Sequence, residues 1–204
     1  MTDRPTITLT AADFTAGPVT HYTGSVDFGA DVDCDLVIDG DLGVAWFAGS
    51  VRVRGSIVAR AGTSITAGDG ITAGGGIEAG GGIEAATSIE AGGGITAGES
   101  IEAGGGIEAG GRIEAGTSIT AGGGITAGES IEAGGGIKAG SGVLSGLAIA
   151  CRGTLTVGYR IVAGAAVWKA ALAPEDTLVT CRRLGSGTVA LGQLVETAPN
   201  KETQ

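Results

Sequence analysis

The sequence predicts an all-β chain folded as a single-chain parallel β-solenoid, three-sided, with about 18 residues per coil and irregular β segments capping both ends. From Ser64 to Ser141 a six-residue unit recurs thirteen times, as Ile, then Glu or Thr, then Ala, then Gly, then two small or polar residues. Isoleucine and alanine fall on one side of an extended segment and Glu or Thr on the other, which is the pattern of a half-buried strand. The 42 glycines exclude a helical repeat, because each would cost about 1 kcal/mol relative to alanine in a helix.

Stacking follows from the short length of each predicted strand. A strand of about four residues cannot bury its isoleucine alone, whereas coils stacked about 4.8 Å apart form continuous ladders of isoleucine and alanine. Three hexads per coil give the 18-residue period. The glycine at the fourth place of each hexad is expected to form the corner by adopting a positive φ.

The hexad register runs beyond the obvious motif. Counting by sixes from Ile65, every first place is isoleucine up to Ile137, and the same phase continues through apolar residues to Val167. Between Ile57 and Ile65 the spacing is eight residues, which predicts either a bulge or a seam between cap and repeat. Cys151 falls at an alanine place, so we expect a core-facing small side chain rather than a reactive thiol.

Four segments are predicted from this register. They are an N-terminal β cap at 1–50, the solenoid at 51–167, a C-terminal hairpin cap at 168–196 and a flexible tail at 197–204. The hairpin would join a strand from Thr177 to Arg183 with one from Thr188 to Glu196, with Tyr159 and Trp168 packed beneath it, after a short helix or loop from Ala170 to Pro174.

Charge and targeting features limit the functional classes. The formal net charge is −10, and the acidity lies mainly in the repeat, where residues 63–143 carry ten acidic and two basic residues. Direct binding to a nucleic-acid backbone is therefore not expected, because it needs Lys and Arg. No apolar stretch reaches membrane-spanning length and no leader pattern is present, so we expect a cytoplasmic protein.

The sequence predicts no catalytic, cofactor or metal site. Asp31, Asp33 and Asp35 have the spacing of the first ligands of a calcium loop, but the required glycine and the distal Glu are missing from the stretch Asp31 to Asp41. Cys34, Cys151 and Cys181 show no paired motif, so neither a disulfide framework nor a zinc site is expected. An enzyme would need a pocket in the ends, where the candidates are His21, Asp31 to Asp41, Arg182 and Arg183.

Runs such as S-I-E-A-G-G-G-I resemble hexapeptide-repeat β-helices, the polymer-forming bactofilins and uncharacterised bacterial and phage-encoded repeat proteins, over about residues 51–167. The second small inward residue stands at the third place, as Ala67 and Ala73, which is more similar to the bactofilin alternation than to the acyltransferase one. The resemblance leaves the hand of the coil open. Hexapeptide acyltransferases use a histidine base, and the single histidine, His21, lies outside the repeat.

Stacking by 18 residues predicts the outward columns. Glu84 would lie beside Glu102, Glu90 beside Glu108 and Glu114 beside Glu132, and no two threonines would be neighbours, which disfavours an ice-binding face. Residues 87–110 and 117–140 are identical except at two positions, an offset of thirty residues that places the copies on different faces.

These observations favour a non-catalytic rigid scaffold, structural or protein-interacting, that forms homo-oligomers through its caps or flanks. The alternatives are an acidic mimic of nucleic acid that binds a nucleic-acid-handling protein and, less favoured, an ice-binding or acyltransferase solenoid.

Overall fold

The computed structural model describes residues 4–17, 20–24, 27–60 and 62–197. The predicted tail beyond residue 197 lies outside them. The strands are β1 (Thr6–Leu9), β2 (Thr20–His21), β3 (Asp35–Ile38), β4 (Val44–Phe47), β5 (Val51–Val53), β6 (Ile57–Ala59), β7 (Ser64–Ala67), β8 (Ile71–Ala73), β9 (Ile77–Ala79), β10 (Ile83–Ala85), β11 (Ile89–Ala91), β12 (Ile95–Ala97), β13 (Ile101–Ala103), β14 (Ile107–Ala109), β15 (Ile113–Ala115), β16 (Ile119–Ala121), β17 (Ile125–Ala127), β18 (Ile131–Ala133), β19 (Ile137–Ala139), β20 (Val143–Ser145), β21 (Ile149–Cys151), β22 (Thr154–Val162), β23 (Leu178–Cys181), β24 (Arg183–Leu191) and β25 (Gln193–Glu196). Two short 3-10 helices, η1 (Ala11–Asp13) and η2 (Pro174–Thr177), accompany them.

These strands form a parallel β-solenoid of about nine turns with about 18 residues per turn, which confirms the predicted fold. Face 1 is the ten-stranded sheet β1-β3-β6-β9-β12-β15-β18-β21-β23-β25. Face 2 contains β2, β4, β7, β10, β13, β16 and β19, and face 3 contains β5, β8, β11, β14, β17 and β20. The long strand β22 turns the corner between faces 2 and 3, because its first half pairs with β19 and its second half with β20.

The core consists of stacked first-place and third-place side chains. Ile83, for example, pairs with Ile65 below and Ile101 above, and Ala85 pairs with Ala67 and Ala103. The repeat isoleucines are almost fully buried. Each buried aliphatic side chain contributes roughly 1.5–3 kcal/mol relative to its exposed state, so the ladders stabilise a fold with almost no aromatic core.

The fourth-place glycines form the corners, but the predicted reason for them is wrong. Positive φ values occur at Gly17, Gly40, Gly43, Gly62, Gly164, Gly187 and Gly192 among the described residues, and of these only Gly164, where the chain leaves the coil, stands at a fourth place of the hexad register. A Cβ on Gly110 would instead collide with the carbonyl oxygen of Gly92, one coil below, and the same relation joins Gly128 to Gly110. The corner needs glycine because two backbones approach closely there.

The eight-residue spacing before Ile65 is a longer loop between β6 and β7, which lengthens the coil to 20 residues. Thr63 in this loop is fully buried. Its hydroxyl donates to the carbonyl of Gly40 at 2.7 Å and accepts from the amide of Leu42 at 3.0 Å. The threonine thus ties the longer loop to the coil below.

At the N-terminal end, the parallel pairing already includes β1 with β3 and β2 with β4. Phe14, Tyr22, Phe28 and Phe47 pack there as an aromatic cluster, with ring centroids 5.2–6.0 Å apart. Bulky rings fill this end of the core, where the isoleucine ladders begin.

At the C-terminal end, the predicted continuation of the register to Val167 is wrong. The chain leaves the coil after Ala163, and Val167 is 100% exposed. Residues 164–177, called the C-terminal loop below, separate β22 from β23 and contain η2. Trp168 and Tyr159 are exposed rather than packed beneath a cap.

The predicted hairpin is also wrong. β23 pairs in parallel with β21 and β25, and β24 pairs in parallel with β22. The sequence Gly185-Ser186-Gly187, expected to form a hairpin turn, lies inside β24, where Gly187 has a φ of +103°. The last strands therefore continue the coil, because parallel pairing stacks Leu184 and Leu194 on the ladders beneath them, where both are partly buried.

Candidate interaction surfaces

The predicted N-terminal candidates are held in local contacts. His21 stacks edge-on against Trp46 with ring centroids 4.5 Å apart, and its amide donates to the hydroxyl of Thr15 at 3.0 Å. Its side chain is exposed at the first strand of face 2. The histidine is part of an aromatic contact on the surface.

The aspartates between Asp31 and Asp41 pair mostly with arginines of the same end. Arg54 Nε lies 2.9 Å from Asp31, Arg4 Nε lies 2.9 Å from Asp33, and a looser contact of 3.8 Å joins Arg60 to Asp39. Asp35 accepts from the amide of Ser56 at 2.8 Å. Within the described ranges, no group of three or more His, Cys, Asp or Glu side chains is placed to hold a metal ion.

Arg182 and Arg183 lie at the other end of the molecule. The amide of Arg182 donates to the carbonyl of Gly153, and Arg183 begins β24, where it pairs with Thr154. Because β2 lies in the first coil and β24 pairs with β22 at the opposite end of the rod, the structure does not bring His21 and the two arginines together. The residues considered for an enzyme pocket belong to separate surfaces.

The side of the rod carries the predicted acidic columns. Glu84 pairs with Glu102, Glu90 with Glu108, and Glu114 with Glu132. A shallow depression on face 3 is lined by Glu90 and Glu108 together with corner glycines. Threonine and Lys138 interrupt these columns, so the surface is acidic but its negative charge is not continuous along the rod.

The C-terminal coils differ from the rest of the surface because they expose apolar side chains. All six large hydrophobic residues that are exposed among the described residues lie there: Leu144, Tyr159, Val167, Trp168, Leu191 and Val195. On face 3, Leu144 pairs with Val162 and Val162 with Leu191. These three outward residues form the apolar strip. Lower coils of the same face carry Thr, Glu or, in β5, Arg52 at the same place. Leu144 and Val162 at the outward hexad place were the sequence signal for the strip.

The C-terminal loop stands beside this strip. Between Ala165 and Pro174 its only charged residue is Lys169, whose Nζ lies 2.5 Å from Asp176. Trp168 is 60% exposed and its indole N–H donates to the carbonyl of Gly128 at 3.4 Å, two coils below. The loop therefore presents an apolar tip whose one cation is neutralised internally.

Asp176 organises the base of the loop. It accepts from Lys169 and from the amide of Ala173 at 2.7 Å. The hydrogen bond from Lys169, followed by the one from Ala173, lowers the pKa of the Asp176 carboxyl. The loop is thus fastened by a carboxylate that stays ionised at neutral pH.

The end of the solenoid is the third distinctive surface. Leu184, Val189 and Leu194 are the last inward residues of the three ladders and are only partly buried. β25 ends the strand order of face 1, and β24 pairs only with β22 among the described strands. The last coil therefore presents aliphatic side chains together with strand edges that no strand of the described part of the chain covers.

Known protein families provide an independent comparison for the rod. The haemagglutinin-repeat model matches residues 7–115 and 112–158, most of the chain. The chain belongs to the haemagglutinin-repeat family. A haemagglutinin-repeat β-solenoid fits a structural or interaction scaffold, and this family is not catalytic in general. The resemblances to bactofilins and to phage-encoded repeat proteins stay expectations.

Searches of curated proteins and of solved structures gave no significant match to this haemagglutinin-repeat chain. Among the helices of the described ranges, none has the length and apolar character needed to cross a membrane.

Proposed function

We propose that this haemagglutinin-repeat chain is a non-catalytic, rigid scaffold that associates with further copies of itself through its C-terminal coils. The observation that carries the proposal is the concentration of exposed large hydrophobic side chains in those coils. Contiguous exposed apolar surface is typical of interaction sites, whereas isolated exposed residues are ordinary. Leu191 belongs both to the apolar strip and to β24 of the last coil, so the side and the end form one continuous contact region.

The end of the solenoid of a second copy is the partner that fits this surface. The last coil presents strand edges on three faces and one inward aliphatic residue per face, Leu184, Val189 and Leu194. Another coil of the same outline would pair all three edges and cover all three side chains at once. Exposed strand edges are templates for such pairing.

The charge distribution favours head-to-tail contact. Residues 1–62 carry eight acidic and four basic residues, a net charge of −4, and residues 144–204 carry four acidic and six basic residues, a net charge of +2. Opposite net charges at the two ends attract, and salt screens this attraction. A head-to-tail contact does not close on itself and produces linear assemblies.

Sedimentation velocity and negative-stain imaging of the full chain test this proposal. We expect a mass that increases with protein concentration at low salt, rods whose lengths are multiples of one molecule, and weaker association at high salt. A monomer of fixed size over the whole concentration range, at low and high salt, would contradict self-association.

A matched pair of variants locates the contact. Leu194→Glu places a charge on the open end and should lower the association constant at least tenfold. Thr120→Glu adds the same charge at an outward position between Glu102 and Lys138 and should leave association unchanged. Circular dichroism of both variants verifies that the coil is intact. Equal association of the two variants would exclude the C-terminal end as the contact.

A further inference from the structure

Two of the three cysteines occupy neighbouring positions in the C-terminal core. Cys151 ends β21 and Cys181 ends β23, and these strands pair in parallel with Ile149 opposite Val179 and Ala150 opposite Thr180. Each cysteine follows that last pair at an inward place, and the two residues are 5% and 0% exposed. Cys151 itself stacks on Ala133, so consecutive coils carry Ala, Cys and Cys in one ladder.

The separation of Cys151 and Cys181 in the sequence does not indicate that they are neighbours in the core. Residues in adjacent coils of the repeat are 18 apart, whereas β21 and β23 pair with an offset of 30 because the C-terminal loop intervenes. Cys34 lies just before β3 near the opposite end of face 1. All three thiols are free.

The backbone geometry suits a cross-link between the pair. Neighbouring strands of a sheet lie about 4.8 Å apart, and disulfides join residues whose Cα atoms are about 4.4–6.8 Å apart. Both side chains point into the same core, so their sulfur atoms face the same space.

Access to the thiols depends on opening of the last coils. Burial, and then the neighbouring Cys181, raises the pKa of Cys151 to about 11, and burial also raises the pKa of Cys181. The closed coil therefore holds both groups as thiols at neutral pH. β25, the outermost strand of face 1, has one pairing neighbour instead of two and covers β23, which carries Cys181. Such terminal strands open more readily than the middle of a solenoid, and their opening uncovers β23.

We propose that Cys151 and Cys181 form a redox-active dithiol that a small disulfide, such as oxidised glutathione, converts into an intrachain disulfide. When the terminal coil opens, one cysteine loses its proton and its sulfur attacks a sulfur of the oxidant. The S–S bond of the oxidant breaks, one glutathione thiolate leaves, and a mixed disulfide forms.

The second cysteine then loses its proton and its thiolate attacks the protein sulfur of the mixed disulfide, which releases the second glutathione. Two protein thiols are oxidised to one disulfide, one oxidised glutathione is reduced to two glutathione molecules, and these take up the two protons. The product closes a ring that contains β22 and the C-terminal loop and fastens the terminal coil to the rod.

The test uses the full reduced chain, incubated with oxidised glutathione at neutral pH without denaturant. Both the untreated and the treated chain are unfolded and alkylated, and their intact masses are measured. The untreated chain should show three reactive thiols and the treated chain one. Peptide mapping without reductant should find Cys151 joined to Cys181. The disulfide should raise Tm by roughly 5 °C or more, because it constrains a loop of about thirty residues.

Alanine variants separate this pair from other cysteine chemistry, since alanine is the ordinary residue of the ladder. Cys34→Ala should still form the cross-link and gain the same Tm increase. Cys151→Ala and Cys181→Ala should each stop at a glutathione adduct or stay unreacted, with no Tm increase. Three alkylated thiols after prolonged treatment, a disulfide that includes Cys34, or a cross-link between two chains as the main product would overturn the proposal.

Discussion

At the corners of the coil, the backbone of each fourth-place residue passes directly over the carbonyl group of the corner below. Where this residue is a glycine of the repeat, from Gly68 to Gly146, the corner amide donates to the coil below at 2.8–3.1 Å. Where it is Ala86 or Arg152, the corresponding distances are 3.2 and 3.3 Å. A Cβ at this place is therefore accommodated by separating the two coils slightly.

Gly110→Ala should consequently lower the free energy of unfolding by roughly 1–3 kcal/mol, the usual cost of overpacking. The added methyl would meet the carbonyl of Gly92, while the carbonyl of Gly110 already lies against Gly128. Urea unfolding followed by circular dichroism measures the change.

Gly49→Ala is the matched control, because nothing lies within 4 Å of its added Cβ and its φ is not positive. Its effect should stay within about 0.5 kcal/mol. Equal effects of the two substitutions would mean that close approach of the coils does not determine the corner residue.

Thr63 offers a second residue-scale prediction. Thr63→Val keeps the shape but leaves the buried amide of Leu42 and carbonyl of Gly40 without their partner, so unfolding should cost about 1–3 kcal/mol less. Thr63→Ser keeps the hydroxyl and should retain most of the stability. Thermal unfolding of the two variants compares them directly, and equal losses would show that the hydroxyl is not what holds the longer loop.

Among the larger elements, the C-terminal loop depends on an ion pair that titrates. The pKa of Asp176 is lowered in the folded state, so this interaction is fully present above the ordinary pKa of an aspartate and is lost as the pH falls through the lower, folded value. Trp168 fluorescence should therefore change at a pH below the ordinary aspartate range, as the loop loosens.

Substitution of Asp176 tests the same ion pair at neutral pH. Asp176→Asn should increase amide hydrogen exchange in residues 166–176 at pH 7, and Glu175→Gln, which changes the adjacent acid, should leave exchange there unchanged. If the two variants exchange alike, Asp176 does not fasten the loop.

β24 shows where prediction from sequence fails at the scale of elements. Glycine, serine and glycine between two apolar runs are typical of a hairpin turn, but the same residues also permit irregular pairing within one strand. β24 uses them for register shifts against β22, with Gly187 at positive φ. Local composition cannot distinguish these outcomes, because the choice depends on which ladder the apolar residues cover.

For the whole molecule, the 18-residue period, the columns of outward residues and the buried isoleucine ladders were predictable from the sequence, since one residue type recurs at one place. The C-terminal contact surface was not. Leu144 and Val162 were visible at outward places, but their neighbour Leu191 lies 29 residues beyond Val162, across an insertion whose length obeys no period. The closeness of Cys151 and Cys181 was hidden for the same reason.

The duplicated segments, residues 87–110 and 117–140, show how this architecture can change in evolution. The copies begin with β11 on face 3 and β16 on face 2, and both fit equally well. Adding one hexad thus rotates the rest of the rod by one face, whereas adding one coil of three hexads lengthens the rod without rotating it. Insertion of 18 residues in the repeat would move the apolar strip along the axis without turning it, whereas insertion of six would turn it by about one third of a circle relative to the N-terminal end. The number of hexads therefore sets the rotation of one end of the rod relative to the other about the long axis. Gain or loss of a few hexads would change the direction in which the surface of one end faces, without altering any residue in that end.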